Sequence, residues 1–296
     1  MTKKIDLIVK NGSYVTHKKT IKGDIAIHKG KIYRVGNISD LKSFKTIDAR
    51  GLHILPGAID TQVHFREPGN TDKEDLKSGS RAAVAGGITT IFDMPNNNPS
   101  MSTKTLFKKK LNGAKNRMFC NYAFYFGAEK NNTTEIKKME KEVGCCGIKV
   151  FVGVSTGTLI VSDYKDIKRI MKSTKKMISF HSEDQYELNK REKFIKRGDP
   201  KSHPKWRNES VCLICTKNLV KLANQTKKKI HILHITTAEE IELLNKNKKY
   251  VSYEVTPQHL SLIHISEPTR PERISDGVVW FQKKKGGGGG GGGGGG

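Results

Sequence analysis

Cysteine is scarce in this sequence and odd in number: five among 296 residues, none at framework spacing. That excludes a small disulfide-stapled fold and fits a reducing compartment, so a cytoplasmic setting is expected. Cys212 and Cys215 form a C-x-x-C. With Val211, Ile214, Leu219 and Leu222 at helical spacing around them, they read as two buried helix cysteines rather than a redox or zinc site. No apolar run approaches the ~20 residues of a membrane span. The opening MTKKIDLIVKNGSYV alternates without an apolar core segment, so neither a signal peptide nor a membrane partner is expected. Acidic residues are also short, 29 against 54 Lys and Arg, a formal net charge of +25. Such an excess raises nucleic acid as a partner. The lysines, however, are scattered over helical stretches (Lys108, Lys109, Lys110; Lys137, Lys138; Lys227, Lys228, Lys229) without interleaved aromatics. They read as solvated helix faces, and no nucleic-acid partner is expected.

The last stretch is expected to stand outside the fold. Gly286 to Gly296 is unbroken glycine, which has no side chains to bury and a high ordering cost. The preceding LSLIHISEPTR, Leu260 to Arg270, resembles the translation of a transposon adapter used in sequencing libraries. Setting this tail aside leaves about 259 residues, close to the ~250 of one (β/α)8 barrel.

Residues 5 to 55 read as short strands and turns. Ile5, Leu7 and Val9 alternate before Asn11-Gly12; Ile25 and Ile27 alternate before a hairpin turn at His28-Lys29-Gly30-Lys31. After Pro56-Gly57 the rhythm becomes strand, helix, strand, helix. Apolar strands are expected at Ala58 to Asp60, Ile88 to Asp93, Arg117 to Phe126, Gly147 to Val152, Met177 to His181, Lys229 to Ile235 and Tyr250 to Val255. Helices are expected around 73–86, 103–115, 133–143, 163–175, 207–225 and 237–246. Alternation of this kind implies a parallel sheet with right-handed crossovers. Periodicity alone leaves an open doubly wound sheet and a barrel both standing. The polar residues decide, because His64, Asn96, Lys149, His181 and His234 lie in or just after five different strands. An open sheet gathers function at one switch point, a barrel at many strand ends. The expected architecture is an α/β chain: a small β module over 1–55, an incomplete TIM-type (β/α)8 barrel of about seven strands over 56–260, and a non-native tail over 261–296.

Lys149 is the sharpest oddity, a lysine inside the apolar strand Gly147-Ile-Lys-Val-Phe-Val-Gly153. A buried lysine is costly unless paired, coordinated or neutral. A neutral, desolvated amine can react with carbon dioxide to give an anionic carbamate able to bridge two metal ions; snorkelling from a strand end is the bland alternative. Asp60, Gln62 and His64 share a strand parity. His181 and His234 end strands, where imidazoles from separate strands can converge on a metal. His231 falls on the opposite face to His234 by alternation. The Asn96 amide, on the loop after the second strand, could hydrogen-bond a substrate.

The segments GAIDTQVHFREPG, GGITTIFDMPNNNP, GIKVFVGVSTG, FHSEDQ, HILHITTAEE and YEVTPQHL, in this order and spacing, resemble the dihydroorotases of the amidohydrolase superfamily over about residues 1 to 260. The resemblance implies a zinc pair bridged by a carbamylated Lys149, with His64, His181 and His234 as further metal ligands. It implies that Arg66 and Asn96 hold a substrate carboxylate. The implied reaction is the reversible cyclisation of N-carbamoyl-aspartate to dihydroorotate in pyrimidine synthesis, on a small-molecule substrate, with a homo-oligomer left open. A planar guanidinium suits a carboxylate, and hydantoinases and allantoinases, otherwise similar, generally lack an arginine two residues after this histidine. Two departures stand out. The family's His-x-His reads Gln62-x-His64 here, and an amide oxygen is a poorer zinc ligand than imidazole, so one or two ions are expected. The family's aspartate at the end of the eighth strand has no counterpart, so no catalytic acid–base residue is assigned and the chain as written is expected to be inactive. Two other readings compete: another cyclic-amide hydrolase, which Arg66 argues against, and a non-catalytic subunit supporting a partner such as aspartate carbamoyltransferase. Gln62 motivates the second; retention of Lys149, His181 and His234 argues against it.

Overall fold

The computed structural model describes residues 4–155 and 158–256. The expected tail after Leu260 lies outside the described residues. The chain divides into two compact units, Met1–Ala58 and Ile59–Gly296.

The first unit is a five-stranded sheet of β1 (Lys4–Val15), β2 (Thr20–His28), β3 (Lys31–Gly36), β4 (Lys42–Asp48) and β5 (His53–Ile54). Its order is β3-β2-β1-β4, with β5 also paired to β1. The β2–β3 hairpin turns at Lys29 and Gly30, both at positive φ (51° and 70°), as a two-residue turn matched to strand twist requires. Asn11-Gly12 makes no turn. β1 runs straight through it, with a bulge against β2 between Val9 and Gly12 and Asn11 at φ 62°. A Cβ at position 12 would lie 2.5 Å from Ile54 Cδ1, so any larger residue there would make the Ile54 side chain shift. The core of this unit is Ile5, Ile8, Ala26 and Ile38.

The second unit alternates strands and helices: β6 (Ala58–Val63), α1 (Leu76–Ala85), β7 (Ile88–Asp93), α2 (Lys104–Ala114), β8 (Asn121–Gly127), α3 (Thr133–Lys138), β9 (Cys145–Phe151), α4 (Tyr164–Ser173), β10 (Ile178–His181), α5 (Gln185–Arg191), the short α6 (His203–Trp206), α7 (Glu209–Thr226), β11 (Ile230–Ile232), α8 (Ala238–Asn245) and β12 (Val251–Tyr253). The sheet order is the sequence order, β6 through β12. Side chains cap five of the helices: Asp75, Thr103, Asp163, Asp184 and Thr237 each accept a first-turn N–H.

The sheet has two apolar faces. Ile91, Phe124, Phe126, Ile148, Val150 and Phe180 pack outward against Phe107, Ile167 and Leu219 of the helices. Phe92, Met94, Tyr125 and Leu233 form a separate cluster. A parallel sheet with both faces covered reads in sequence as continuous apolar runs, which is why these strands stood out. The edge strands β6 and β12 meet through Thr61 Oγ1, which donates to Glu254 Oε2 at 2.8 Å. Strands at opposite ends of a seven-stranded order can do so only if the sheet curls. The fold is an incomplete TIM barrel with seven of eight strands among the described residues.

Three expectations need correction. The third barrel strand starts at Asn121 rather than Arg117. The 133–143 helix stops at Lys138 and tightens to a 3-10 turn over Met139–Lys141. Lys110 is no solvated lysine: its side chain is 1% exposed and paired to Asp93. Cys212 and Cys215 are both buried on α7.

Candidate metal centre

The site is built on two pinned loops, on β9 and the end of β10, and on the segment just after β11. The loop after β6 carries His64 and Arg66, and a buried network fixes its backbone. Asp93, the last residue of β7, accepts the Phe65 N–H at 2.9 Å. Asn97 donates through Nδ2 to the carbonyls of Phe65 and Glu67, both at 3.1 Å. Lys110, reaching in from α2, holds both partners: its Nζ lies 2.6 Å from Asp93 Oδ2 and 2.7 Å from Asn97 Oδ1. Further along, Glu67 makes a paired bond with Arg117 at 2.6 and 2.9 Å and accepts the Leu76 N–H. Gly69, at φ 110°, lets the loop lie on the next one, where a Cβ would come within 2.4 Å of Asn98 O. Asn96 and Asn97 sit on that second loop, so one network sets His64, Arg66 and Asn96 together.

His64 Nδ1 lies 2.9 Å from Asn96 Oδ1. An amide oxygen only accepts, so the proton is on Nδ1 and Nε2 carries the lone pair. Burial, then the charges of Lys149 and Arg66, push the His64 pKa down to about 3. Asn96 therefore has a task beyond the expected substrate contact, holding the histidine's tautomer.

Lys149 is 1% exposed, in mid-strand on β9, with its Nζ 4.4 Å from the centre of the Phe151 ring. Desolvation drops its pKa well below that of a free lysine, and only the Glu254 carboxylate pulls it back. Its amine is thus held toward the neutral, nucleophilic form. Register puts Lys149 beside Ser179 on β10, and Ser179 beside His231 on β11. His231 bonds Ser252 Oγ at 2.9 Å and Glu254 Oε2 at 3.1 Å.

His181 Nδ1 stands 3.1 Å from His234 Nε2. The two rings are hydrogen-bonded to each other; two nitrogens bound to one tetrahedral zinc at ~2.0–2.1 Å would be about 3.3–3.4 Å apart, so a small separation of the rings would bring them to the spacing of shared ligands. The parity argument that set His231 against His234 fails, because β11 ends at Ile232 and His234 adopts φ 42°. Alternation does not extend past the strand, and a strained left-handed residue turns the ring toward His181. His181 Nε2 contacts Glu183 Oε2 at 2.7 Å. Glu183 and Arg207 were not singled out in sequence. Burial raises the Glu183 pKa to about 7, with Arg207 beside it opposing. A small pocket next to the pair is lined by His181, Glu183, Cys212, Leu233, His234 and Glu240.

Among the described residues, no three His, Cys, Asp or Glu side chains gather into a metal-holding group. The His181–His234 pair needs a third donor. Lys149 cannot serve as an ammonium and can as a carbamate. On β6, Gln62 Oε1 is buried without a hydrogen-bond donor among the described residues. Such an orphan costs roughly 1–3 kcal/mol unless a cation or water meets it. This donor set fits a divalent metal: two adjacent imidazoles, a third with its Nε2 lone pair exposed by the tautomer, a buried amine whose pKa burial pushes down and an amide oxygen without a donor.

A model of the amidohydrolase family matches residues 53–274. The chain belongs to the amidohydrolase family. That family is generally metal-dependent. Dihydroorotase of Pyrococcus horikoshii is 34% identical over 261 residues, covering 87% of this chain and 56% of the relative. Dihydroorotase of Methanosarcina acetivorans is 30% identical over 275 residues, covering 87% and 58%. The chain spans a little over half the length of the curated relatives it matches. Among solved structures, an L-hydantoinase (dihydropyrimidinase) from Arthrobacter aurescens superposes at TM-score 0.80 and 24% identity, over 86% of this chain and 59% of that one. At that identity the likeness is one of amidohydrolase fold.

Proposed function

We propose that the chain is part of a dihydroorotase, which interconverts N-carbamoyl-L-aspartate and dihydroorotate. Arg66 is the observation that carries the substrate choice. It lies two residues after His64 on a loop pinned through Phe65 from both sides, its charge acts on the His64 imidazole, and a planar guanidinium is the group suited to take a ring carboxylate. Lys149, as a carbamate, with His181, His234 and His64, is the proposed zinc-binding set for one or two ions. A bound zinc supplies a hydroxide nucleophile at neutral pH and polarises the amide carbonyl. The residues of this chain orient the substrate by its carboxylate, keep His64 in its Nδ1–H form and desolvate the reacting amide.

The proposed setting is the cytoplasm, in keeping with five free cysteines, with a small-molecule substrate and no nucleic-acid or membrane partner. Among the described residues no helix is long and apolar enough to cross a membrane. The proposed boundaries remain a β module over 1–55 and a barrel over 56–260. Gln62 gives the competing reading, a non-catalytic dihydroorotase-like subunit, its one specific support. The test is a substrate panel on a complete enzyme carrying these residues. Dihydroorotate should be turned over and hydantoin should not, and Arg66→Ala or Asn96→Ala should raise KM for dihydroorotate more than it lowers kcat. Turnover of hydantoin in preference to dihydroorotate, or unchanged kinetics in both variants, defeats the proposal.

A further inference from the structure

Both ring nitrogens of His181 are engaged, and on different sides. Nδ1 faces His234 Nε2 at 3.1 Å, while Nε2 lies 2.7 Å from Glu183 Oε2. That carboxylate oxygen also accepts from Arg207 Nη1. The Arg207 guanidinium is itself fixed: Nη2 donates to the Val154 carbonyl at 2.7 Å, and its Cζ lies 4.5 Å from the centre of the Trp206 ring. Trp206 in turn donates through Nε1 to the Leu188 carbonyl at 3.0 Å. A guanidinium has only donors, so it holds Oε2 in the role of acceptor. The His181 proton then sits on Nε2, and the lone pair sits on Nδ1, the atom that faces His234.

We propose that Glu183, clamped by Arg207, is a positioning residue that locks His181 in its Nε2–H tautomer and aims Nδ1 at the point shared with His234. The use of that lone pair rests on the metal-centre reading above; the geometry that fixes it does not. A merely structural Glu183–Arg207 pair would tie the loop after β10 to the start of α7 and leave the imidazole free to choose its tautomer. Carboxylates behind ligating histidines change metal affinity by about 10–100-fold when removed.

Two measurements on the 296-residue chain decide it. The first is the nitrogen-15 NMR signature of the His181 ring without metal. The expected signal is a protonated Nε2 and a bare Nδ1, becoming a mixture in Glu183→Leu and returning in Glu183→Gln, whose amide oxygen still accepts. A wild-type ring protonated on Nδ1 overturns the proposal, and this reading needs no variant to fold. The second is zinc affinity by chelator competition. Glu183→Leu should bind about 10–100-fold more weakly, with Glu183→Gln in between. Glu240→Gln, which lines the same pocket but bonds Thr216 and Thr237, should match wild type. Unchanged affinity in a folded Glu183→Leu chain overturns the proposal. A wild-type chain that holds no zinc defeats the metal-centre reading instead, and the tautomer of the metal-free ring then decides the role of Glu183 alone.

Discussion

Replacing Lys110 by methionine is the sharpest test of how the site loop is held. The Lys110 and Asp93 side chains are 1% and 0% exposed and 2.6 Å apart. The same ammonium donates to Asn97 Oδ1. Methionine keeps the stem and removes the charge, so the substitution leaves a buried carboxylate without its counter-charge and an amide oxygen without its donor. Breaking one side of a buried pair costs about 3–5 kcal/mol, a large share of the ~5–15 kcal/mol that holds a domain folded. Acidity gives the effect a signature. Asp93 has a pKa above the usual carboxylate range because burial outweighs the pull of Lys110, and losing Lys110 pushes it higher still. A carboxyl whose folded pKa exceeds its unfolded value destabilises the fold above the folded pKa. That penalty fades as the pH falls toward the unfolded value of ~3.9. Urea denaturation of Lys110→Met should therefore show a larger deficit at pH 8 than at pH 5. Asp93→Asn combined with Lys110→Met should cost less than the two single changes added together. A Lys110→Met chain within about 0.5 kcal/mol of wild type, or a strictly additive double variant, would refute the idea that this pair organises the loop.

Three other expectations follow from the same geometry. Metal analysis after dialysis should find close to one firmly held zinc per chain, because Gln62 offers an amide oxygen where an imidazole would bind better; Gln62→His should raise the count toward two, and two tight ions in the unmodified chain would show that Gln62 suffices. His64 should stay neutral well below pH 6 in an NMR titration of the metal-free chain, given its pKa of about 3. The unfolded chain takes up that proton near pH 6.5 while the folded one refuses it, so this histidine lowers stability as pH falls from about 6.5 to 3; a midpoint near 6.5 in the folded chain would contradict the burial argument. Gly69→Ala should destabilise by about 1–3 kcal/mol, since it places a Cβ 2.4 Å from Asn98 O at φ 110°, and an unchanged urea midpoint would mean the two loops are not in contact.

The barrel was legible because a doubly covered parallel sheet writes itself as apolar runs separated by amphipathic helices, five of which carry a capping Asp or Thr. Ile88–Asp93 matched the expected strand to the residue, every helix from α1 to α4, with α8, fell within its expected stretch, and α7 overran its own by one residue, Thr226. What lay between His181 and α7 was not legible. Gln185–Arg191 and His203–Trp206 are short helices in a polar segment with no periodic stripe to announce them. Asn11-Gly12 is ambiguous in sequence for a related reason: the pair favours positive φ, and the bulge found here uses that as well as a turn would.

At the site, sequence singles out the residues proposed to touch metal or substrate but not Glu183, Arg207 and Lys110, which bond to them or to their loops. Strand-end position flags His181 because it needs only one strand. Glu183 gains its meaning from Arg207, 24 residues on, and no local pattern joins those two. His234 was singled out although alternation cannot place it, since its left-handed backbone lies beyond the strand. Lys110 is the instructive miss. It follows Phe107 by three and precedes Ala114 by four, and all three are buried on α2. That is the spacing of a core-facing stripe, so the sequence did place Lys110 inward. Composition argued the other way, because one lysine in a run of three reads as solvent-facing. Where the two signals conflict, position on the stripe is the stronger, since side-chain direction on a helix follows from backbone geometry. A charge on that stripe then implies a buried partner, and Asp93 at the end of an adjoining strand was there to be found.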